Sequence, residues 1–348
     1  MKKILVTGGA GYIGSHTVKE LLLNGEYEVT IVDNLSTSSE NSVHTLKTIS
    51  DRVVFKRGDL GNEAFMRSLF ESQDFYAVIH FAASIVVPES IEKPLKYYAN
   101  NTSNTTSLLK LCDEFGVERF IFSSTAAVYG QPKMAVDSML KVGITEETEP
   151  KPINPYGRSK LFSEEILKDF ADAAGIRFVI LRYFNVAGAD MNGAKSVDEI
   201  DPRLGQSFPN ATHLIKVAAE AAVGKRDYVK IFGTDYPTPD GTGVRDYIHV
   251  DDLALAHLEA LEYIDSKGSE IFNCGYGHGY SVREVLQTMK RVSKKDFKVI
   301  EAPRRDGDPA ALVANNEKIL SSTSWKPRFD DLELICKSAL EWEKKSQE

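Results

Sequence analysis

The run Ile4-Leu-Val-Thr-Gly-Gly-Ala-Gly-Tyr-Ile-Gly14, followed by Val29-Thr-Ile-Val-Asp33, restricts the fold more than any other feature of the chain. It reads as a buried strand, a glycine turn, a helix and a second strand ending in a carboxylate. That is the layout of a dinucleotide site. Gly8 allows the tight turn, Gly11 lets backbone N–H groups approach a pyrophosphate, and Gly14 lets the helix pack close to the strand. The helix is expected over 11–24 with a stop at Gly25, so that its positive end faces the phosphates. Asp33 comes 19 residues after Gly14. There a carboxylate can bond the adenosine ribose and would repel a 2′-phosphate, so the expected cofactor is NAD rather than NADP.

A chain of 348 residues can bury a large core and is expected to form two lobes. Its 42% apolar and 26% charged composition is that of an ordinary globular protein. The net charge of −8, without a long basic run, argues against nucleic acid and anionic membrane as partners. An anionic substrate would therefore need local Arg or Lys. Glycines interrupt the opening strand before a leader core can form, and the apolar stretch Ala77–Val87 is short for a bilayer and contains His80. Cys112, Cys274 and Cys336 are widely spaced in apolar settings and read as buried thiols. No metal-ligand spacing links them to the histidines. Asn101-Thr-Ser and Asn104-Thr-Thr match glycosylation acceptors that a chain kept inside the cell would never use. The expected location is the cytoplasm.

Apolar β-rich runs alternate with amphipathic segments in the first half. Strands are expected at Lys3–Val6, Glu28–Val32, Val53–Lys56, Ala77–Phe81, Arg119–Ser123 and Phe178–Tyr183. Helices are expected at Glu63–Ser72, Pro94–Phe115 and Pro155–Ala174, and loops at Ser36–Ser42 and Asp137–Pro150. The alternation predicts an α/β fold, a Rossmann-like doubly wound parallel sheet with ligands at the carboxyl ends of its strands. After Gly188 the rhythm breaks. An irregular stretch over Asp190–Pro209 leads into helices at Thr212–Gly224, Asp251–Ser266 and Ser281–Val292, with strands near Val229–Phe232, Asp246–Val250, Glu270–Cys274 and Lys298–Glu301. The expected division is a dinucleotide domain over 1–188 and a smaller α+β substrate lobe over 189–348, with 246–274 returning to the first.

Three Tyr-x-x-x-Lys pairs occur: Tyr129–Lys133, Tyr156–Lys160 and Tyr263–Lys267. A Lys one helical turn from a Tyr lowers the phenol's pKa and can also reach a cofactor. Pro132 disfavours a helix in the first pair. Lys267 suits a helix C-terminus in the third. Only Tyr156 opens a well-marked helix, with Asn154 as cap, Pro155 in the first turn and Gly175 at the end. The strand Phe120-Ile-Phe-Ser-Ser-Thr125 ends in three hydroxyls. Thr125 is expected within reach of Tyr156 and of a bound hydroxyl or carbonyl. This set suits proton abstraction from an alcohol coupled to hydride loss onto nicotinamide.

Thr7-Gly-x-x-Gly-x-x-Gly14, Asp33-Asn34-Leu35, Gly58-Asp59-Leu60, His80-Phe-Ala-Ala83, Ser123-Ser-Thr125, Tyr156-x-x-x-Lys160, Arg182-Tyr-Phe-Asn185 and Gly241-Thr-Gly-Val-Arg-Asp-Tyr-Ile-His-Val250 together resemble the extended short-chain dehydrogenase/reductases. Tyr98-Ala-Asn-Asn101 and Ala302-Pro-Arg-Arg-Asp-Gly-Asp308 narrow the resemblance to the UDP-glucose 4-epimerases, and to the bifunctional branch that also takes N-acetylated sugars. The resemblance implies that Tyr156 is the base for the sugar 4-OH, with Thr125 bonding the 4-oxygen and Lys160 holding the nicotinamide ribose. It implies a cofactor lining of Gly8, Gly11, Tyr12, Ile13, Gly14, Asp33, Asn34, Asp59, Leu60, Phe81, Ala82, Ala83, Asn100 and Phe184, beside the catalytic three. Asn185, His213, Phe232, Arg245, Arg305 and Asp308 would hold the UDP-sugar, and a homodimer would form through the helices at 94–115 and 155–174. Two arginines on a diphosphate make sense as fork-like, charge-assisted contacts.

The chain departs from the resemblance at three positions. Ile85 stands where relatives often carry a cofactor-touching Lys, and His213 where they carry Asn. Leu312 falls where a bulky Tyr closes the pocket around sugar C2 in narrow-specificity relatives, so an N-acetyl group is expected to fit. A 4,6-dehydratase would share the fold and the first oxidation, but it needs an acid and a base after Thr125, where this chain has Ala126-Ala127. A non-catalytic NAD-binding sensor would keep the fold without the chemistry. A net oxidoreductase would share the hydride step and consume free NAD.

Overall fold

The computed structural model describes residues 1–208, 211–305 and 307–347. In chain order the elements are β1 (Lys2–Thr7), α1 (Tyr12–Asn24), β2 (Tyr27–Asp33), α2 (Glu40–Ile49), β3 (Val53–Arg57), α3 (Glu63–Ser72), β4 (Ala77–His80), α4 (Val87–Glu92) and α5 (Pro94–Tyr97). A π-helical turn at Tyr98–Ser103 leads into α6 (Asn104–Glu114), β5 (Arg119–Thr125), a 3₁₀ turn at Ala126–Tyr129, α7 (Val136–Val142), α8 (Pro155–Ala174), β6 (Arg177–Tyr183) and β7 (Asn185–Ala187). Next come α9 (Leu214–Ala222), β8 (Tyr228–Phe232), β9 (Val244–Arg245), β10 (Tyr247–His249), α10 (Val250–Lys267) and β11 (Glu270–Cys274). The chain ends with β12 (Tyr280–Ser281), α11 (Val282–Ser293), β13 (Lys298–Ala302), β14 (Ala311–Leu312), α12 (Glu317–Ser322) and α13 (Leu332–Lys345).

One compact unit comprises residues 1–130, 149–182 and 254–272. It is built on a seven-stranded sheet of order β11-β6-β5-β4-β1-β2-β3. The pairs β1/β2, β1/β4, β2/β3 and β4/β5 are parallel. This is the doubly wound α/β architecture that strand–helix alternation requires. Strand order reverses between β1 and β4, and in such sheets ligands bind at that switch point, beyond the strands' carboxyl ends. A buried core of Leu5, Val78, Phe120, Phe122, Phe70, Leu108 and Leu167 fixes α3, α6 and α8 on the sheet. Each such side chain contributes about 1.5–3 kcal/mol by leaving water.

The second unit comprises 131–148, 183–253 and 273–348. Parallel pairs β8/β13 and β7/β10 and the small sheet β12-β9-β14 are joined by the mutually packed helices α9, α11 and α13. Helix α11 starts at a capping box: Ser281 Oγ accepts from the Glu284 N–H, and the Glu284 carboxylate accepts from the Ser281 N–H. Segment 131–148 belongs here because Ile144 bonds Val313 and Asn315 through its backbone, and Asn273 donates to Glu146 and to the Ile144 carbonyl. No helix among the described residues is long and apolar enough to cross a membrane.

The structure corrects three local expectations. Residues 94–115 are not one helix, since a π-turn divides them. The loop expected at Ser36–Ser42 gives way at Glu40 to α2, because the Ser39 side chain caps the Asn41 N–H. The loop expected at Asp137–Pro150 contains most of α7, which ends at Gly143 with φ +74°. The irregular stretch expected over Asp190–Pro209 has neither helix nor strand among its described residues; Pro209 lies outside them.

Candidate active site

The glycine turn sits at the carboxyl end of β1. Gly8 has φ +72°, and a Cβ there would lie 2.7 Å from the Ala82 nitrogen. Both Phe81 and Ala82 donate to the Thr7 carbonyl, so the turn and the segment after β4 are locked side by side. A Cβ on Gly14 would approach the Gly8 carbonyl oxygen to 2.3 Å, which is why α1 can start so near the strand only with glycine there. At Gly11, the N-cap, an added Cβ would meet only the Gly8 carbonyl. Tyr12 and Ile13, both half-buried, open the helix.

Asp33 closes β2, nearly buried. One of its oxygens takes the Ala10 N–H at 3.1 Å; the other takes the Leu35 N–H at 2.9 Å and the Ser38 hydroxyl at 2.8 Å. Asn34 donates to Asp59 at 2.6 Å, and the other Asp59 oxygen takes the Gly61 N–H. Leu60 packs against the core. On the π-turn, Asn100 donates to the Ser84 hydroxyl, just beyond Ala83. Its neighbour Asn101 accepts from the Ser84 N–H and donates to the Ser84 carbonyl and to Ser159 on α8, tying the loop after β4 to that helix. The extra residue of a π-turn is a frequent mark of a functional site. These residues form one surface: a glycine turn at a helix start, a carboxylate at the next strand end, and polar side chains beyond β4. That surface fits a dinucleotide.

Helix α8 carries Tyr156 and Lys160. Asn154 caps it by accepting from the Gly157 N–H at 2.8 Å, Pro155 occupies its first position, and Gly175 ends it at φ +75°. Tyr156 and Lys160 therefore lie one turn apart on a single face. The Thr125 side chain, at the end of β5, acts on the Tyr156 hydroxyl. Burial pushes the phenol up, and Thr125 pulls it back. Thr125 Oγ1 also accepts from the Ala127 N–H at 3.1 Å, which fixes its rotamer. Lys160 is buried, its Nζ donating to the Ser123 carbonyl at 2.7 Å and lying 4.8 Å from the centre of the Phe122 ring. Burial brings the amine down to about 7, with Glu164 opposing the fall. The other two Tyr-x-x-x-Lys pairs differ. Gly130, at φ +61°, breaks the chain after Tyr129, and Lys267 lies over its own Tyr263 ring.

The remaining candidates lie in the second unit. Arg305 stacks 3.7 Å from the centre of the Phe232 ring, Arg245 is ion-paired with Asp308, and the Asp308 N–H bonds the Arg305 carbonyl. Asp306 lies outside the described residues. Leu312 pairs with Arg245 across β14 and β9, which brings it into the same group. Phe184 and Asn185 are fixed by main-chain bonds to Cys274 and Asp246. Asn185 lines a cleft with Gln206, His213, Lys216, Tyr247 and Trp342, and His213 Nδ1 lies 2.9 Å from Gln206. Ile85 is exposed in the first unit.

Sequence reasoning gives no role to Ser38, Asn101, Ser159, Glu164 or Arg182. The signal for Glu164 is its spacing, one turn beyond Lys160 and two beyond Tyr156, on a stripe otherwise buried.

A model of the NAD dependent epimerase/dehydratase family matches residues 4–275. A UDP-glucose 4-epimerase of Azospirillum brasilense is 48% identical over 343 residues, 98% of this chain and 92% of that protein. The structure of the UDP-Glc/GlcNAc 4-epimerase of Campylobacter jejuni superposes with a TM-score of 0.84 at 52% identity, covering 99% of this chain and 100% of that one. That of a UDP-glucose-4-epimerase from Stenotrophomonas maltophila, with bound NAD and formylated UDP-arabinopyranose, gives 0.91 at 36% identity, covering 100% and 99%. The chain belongs to the NAD-dependent epimerase/dehydratase family.

Proposed function

We propose that this chain is an NAD-dependent UDP-glucose 4-epimerase that also interconverts UDP-N-acetylglucosamine and UDP-N-acetylgalactosamine. The observation that carries the reading is Tyr156 and Lys160 one turn apart on α8, with Lys160 anchored to the end of β5 where Thr125 sits, in the unit that holds the glycine turn. Identity of 48–52% to enzymes of this activity over nearly the whole chain supports it.

Gly8, Gly11 and the start of α1 would hold the pyrophosphate, Asp33 and Asn34 the adenosine ribose, and Asp59, Leu60, Phe81–Ala83, Asn100 and Phe184 the rest of the cofactor. NAD bound there would supply the acceptor, and then the donor, for the hydride at C4. Tyr156, as phenolate, takes the proton of the sugar 4-OH. Thr125 donates to the 4-oxygen and holds it in place as the ketone forms. Lys160 stabilises the phenolate by its charge and reaches the nicotinamide ribose. After the 4-keto sugar turns over, Tyr156 gives the proton back to the oxygen on the opposite face. Arg245 and Arg305 neutralise the diphosphate, with Asn185, His213, Phe232 and Asp308 completing the UDP contacts. Leu312 leaves room for the acetamido group. Three buried free thiols suit a reducing cytoplasm, and the exposed Leu95 and Phe162 suit pairing of α5 and α8 in a homodimer.

The test is conversion of UDP-galactose and UDP-N-acetylgalactosamine by the purified protein without added reductant. Both should reach equilibrium with their 4-epimers with no net NADH. A stable 4-keto-6-deoxy product or stoichiometric NADH would overturn the reading.

A further inference from the structure

The carboxyl end of β5 is held by α8 at three successive turns. Thr125 meets Tyr156, the Ser123 carbonyl takes Lys160 Nζ, and the Ser124 hydroxyl donates to Glu164. Glu164 has no exposed surface, and Arg182, on the neighbouring strand β6, is 1% exposed. Arg182 grips that carboxylate with two nitrogens, Nη2 to Oε2 at 2.6 Å and Nε to Oε1 at 3.2 Å, and its Nη1 donates to the Tyr129 hydroxyl at 2.9 Å. A buried ion pair of this kind rarely adds stability over an apolar pair of the same volume, so its presence calls for another reason. One turn back on α8 lies Lys160, whose ammonium meets the Phe122 ring and the Ser123 carbonyl and whose charged form the Glu164 charge favours. His80, facing it from β4, brings no negative charge. It bonds the Thr7 and Thr105 hydroxyls, and burial, then Lys160, hold it neutral.

We propose that Glu164, clamped by Arg182 and Ser124, is a positioning residue that keeps the Lys160 amine charged and in register with Tyr156. Around Lys160 lie Tyr156 and Glu164 one turn either way along α8, the Ser123 carbonyl and Phe122 from β5, neutral His80 from β4, and Arg182 from β6 paired with Glu164. Only Glu164 carries negative charge among these when Tyr156 is protonated. Without it, Arg182 would stand unbalanced beside a second buried cation. The proposal rests on the 4-epimerase reading for its consequence in turnover, and its test is chosen to be independent of that reading.

The test follows Lys160 itself, by ¹³Cε NMR of lysine-labelled protein retaining its cofactor, with the resonance assigned by its loss in Lys160→Met. In Glu164→Gln the midpoint should fall by about one pH unit or more. In Arg182→Gln, which keeps amide donors for Glu164 but removes the cation, the midpoint should rise. Opposite signs are the signature, since two merely structural lesions would move the resonance the same way. The turnover–pH profile on UDP-galactose should lose its alkaline side in Glu164→Gln and extend it in Arg182→Gln. An unchanged midpoint in either variant, or shifts of the same sign, would overturn the proposal. Should Arg182→Gln fail to fold, the fall in Glu164→Gln decides alone, since mere loosening would let water in and raise the midpoint, and Glu164→Leu is read the same way if Glu164→Gln does not fold. If the wild type does not epimerise UDP-galactose at all, the functional reading fails while the NMR result stands.

Discussion

Lys160 Nζ donates to the Ser123 carbonyl, while the adjacent Ser124 hydroxyl donates to Glu164, four residues further along the same helix. The end of β5 is thereby fixed by main-chain and side-chain contacts at once, and Thr125 can be presented to Tyr156 with little freedom left. Preorganisation of this kind stabilises a developing charge without reorganisation during the reaction.

Tyr156→Phe removes the proposed proton acceptor and leaves the ring. Turnover of UDP-galactose should fall by about 10²–10⁴-fold, the range for loss of a positioned acid–base group. Cofactor retained after gel filtration should remain close to wild type, because the glycine turn and Asp33 are untouched. Full activity in this variant would remove Tyr156 from the base role.

The Lys160 amine makes stability depend on pH in a definite direction. Its folded value is about 7, against an ordinary 10.5. Between those values the unfolded chain binds the proton that the folded chain gives up, so this group's contribution rises as pH rises through that window. Its cost is fully present below pH 7. Lys160→Met should therefore melt higher than wild type at pH 6–7, the difference shrinking toward pH 10, while turnover collapses. Melting curves at several pH values check this, and a difference that grew with pH would contradict it.

Much of this architecture was legible in the sequence, and the reason is local. The bounds expected for α3 and α8, Glu63–Ser72 and Pro155–Ala174, coincide with those observed because each helix carries its own punctuation. Asn62 and Asn154 cap the starts, and Gly175 stops α8 in the left-handed region. The π-turn at Tyr98–Ser103 was hidden because its Asn and Thr side chains are compatible with any helix, and its cause lies in the distant partners Ser84 and Ser159. Glu164 and Arg182 look like surface charges at 18 residues' separation. Only the adjacency of β5 and β6 makes them a buried pair.

Arg182→Met tests the cost of breaking that pair. It strands the Glu164 carboxylate in the core, a lesion worth about 3–5 kcal/mol. The double variant with Glu164→Leu should recover most of the loss, since apolar groups of similar volume replace both charges. Urea denaturation of the singles and the double measures this. Additive losses would show that the two side chains act separately.

Gly14→Ala should disable the proposed cofactor surface. The new methyl would sit 2.3 Å from the Gly8 carbonyl oxygen and 2.9 Å from the Gly9 Cα, both main-chain atoms that cannot swing away. The helix must move off β1, at a cost of about 1–3 kcal/mol for overpacking, and the N–H groups at its start move with it. Purified protein should contain little NAD and regain turnover only with added cofactor. Gly25→Ala is the control. A Cβ there meets nothing within 4 Å, but the residue has φ +93°, so the variant should lose stability and keep its cofactor.

Leu312→Tyr separates the two sugar classes. Leu312 lies on β14 beside Arg245, in the group assigned to UDP-sugar contacts. A phenol adds bulk where the acetamido group is proposed to sit, without removing any hydrogen bond to the diphosphate. Rejecting an N-acetyl group by steric closure is expected to be worth at least the ~1–3 kcal/mol that overpacking costs. The ratio of kcat/KM for UDP-galactose to that for UDP-N-acetylgalactosamine should therefore rise by about tenfold or more, with the first value little changed. Kinetics on all four UDP-sugars with a single preparation measure it, and an equal loss on both classes would place Leu312 in ordinary packing instead.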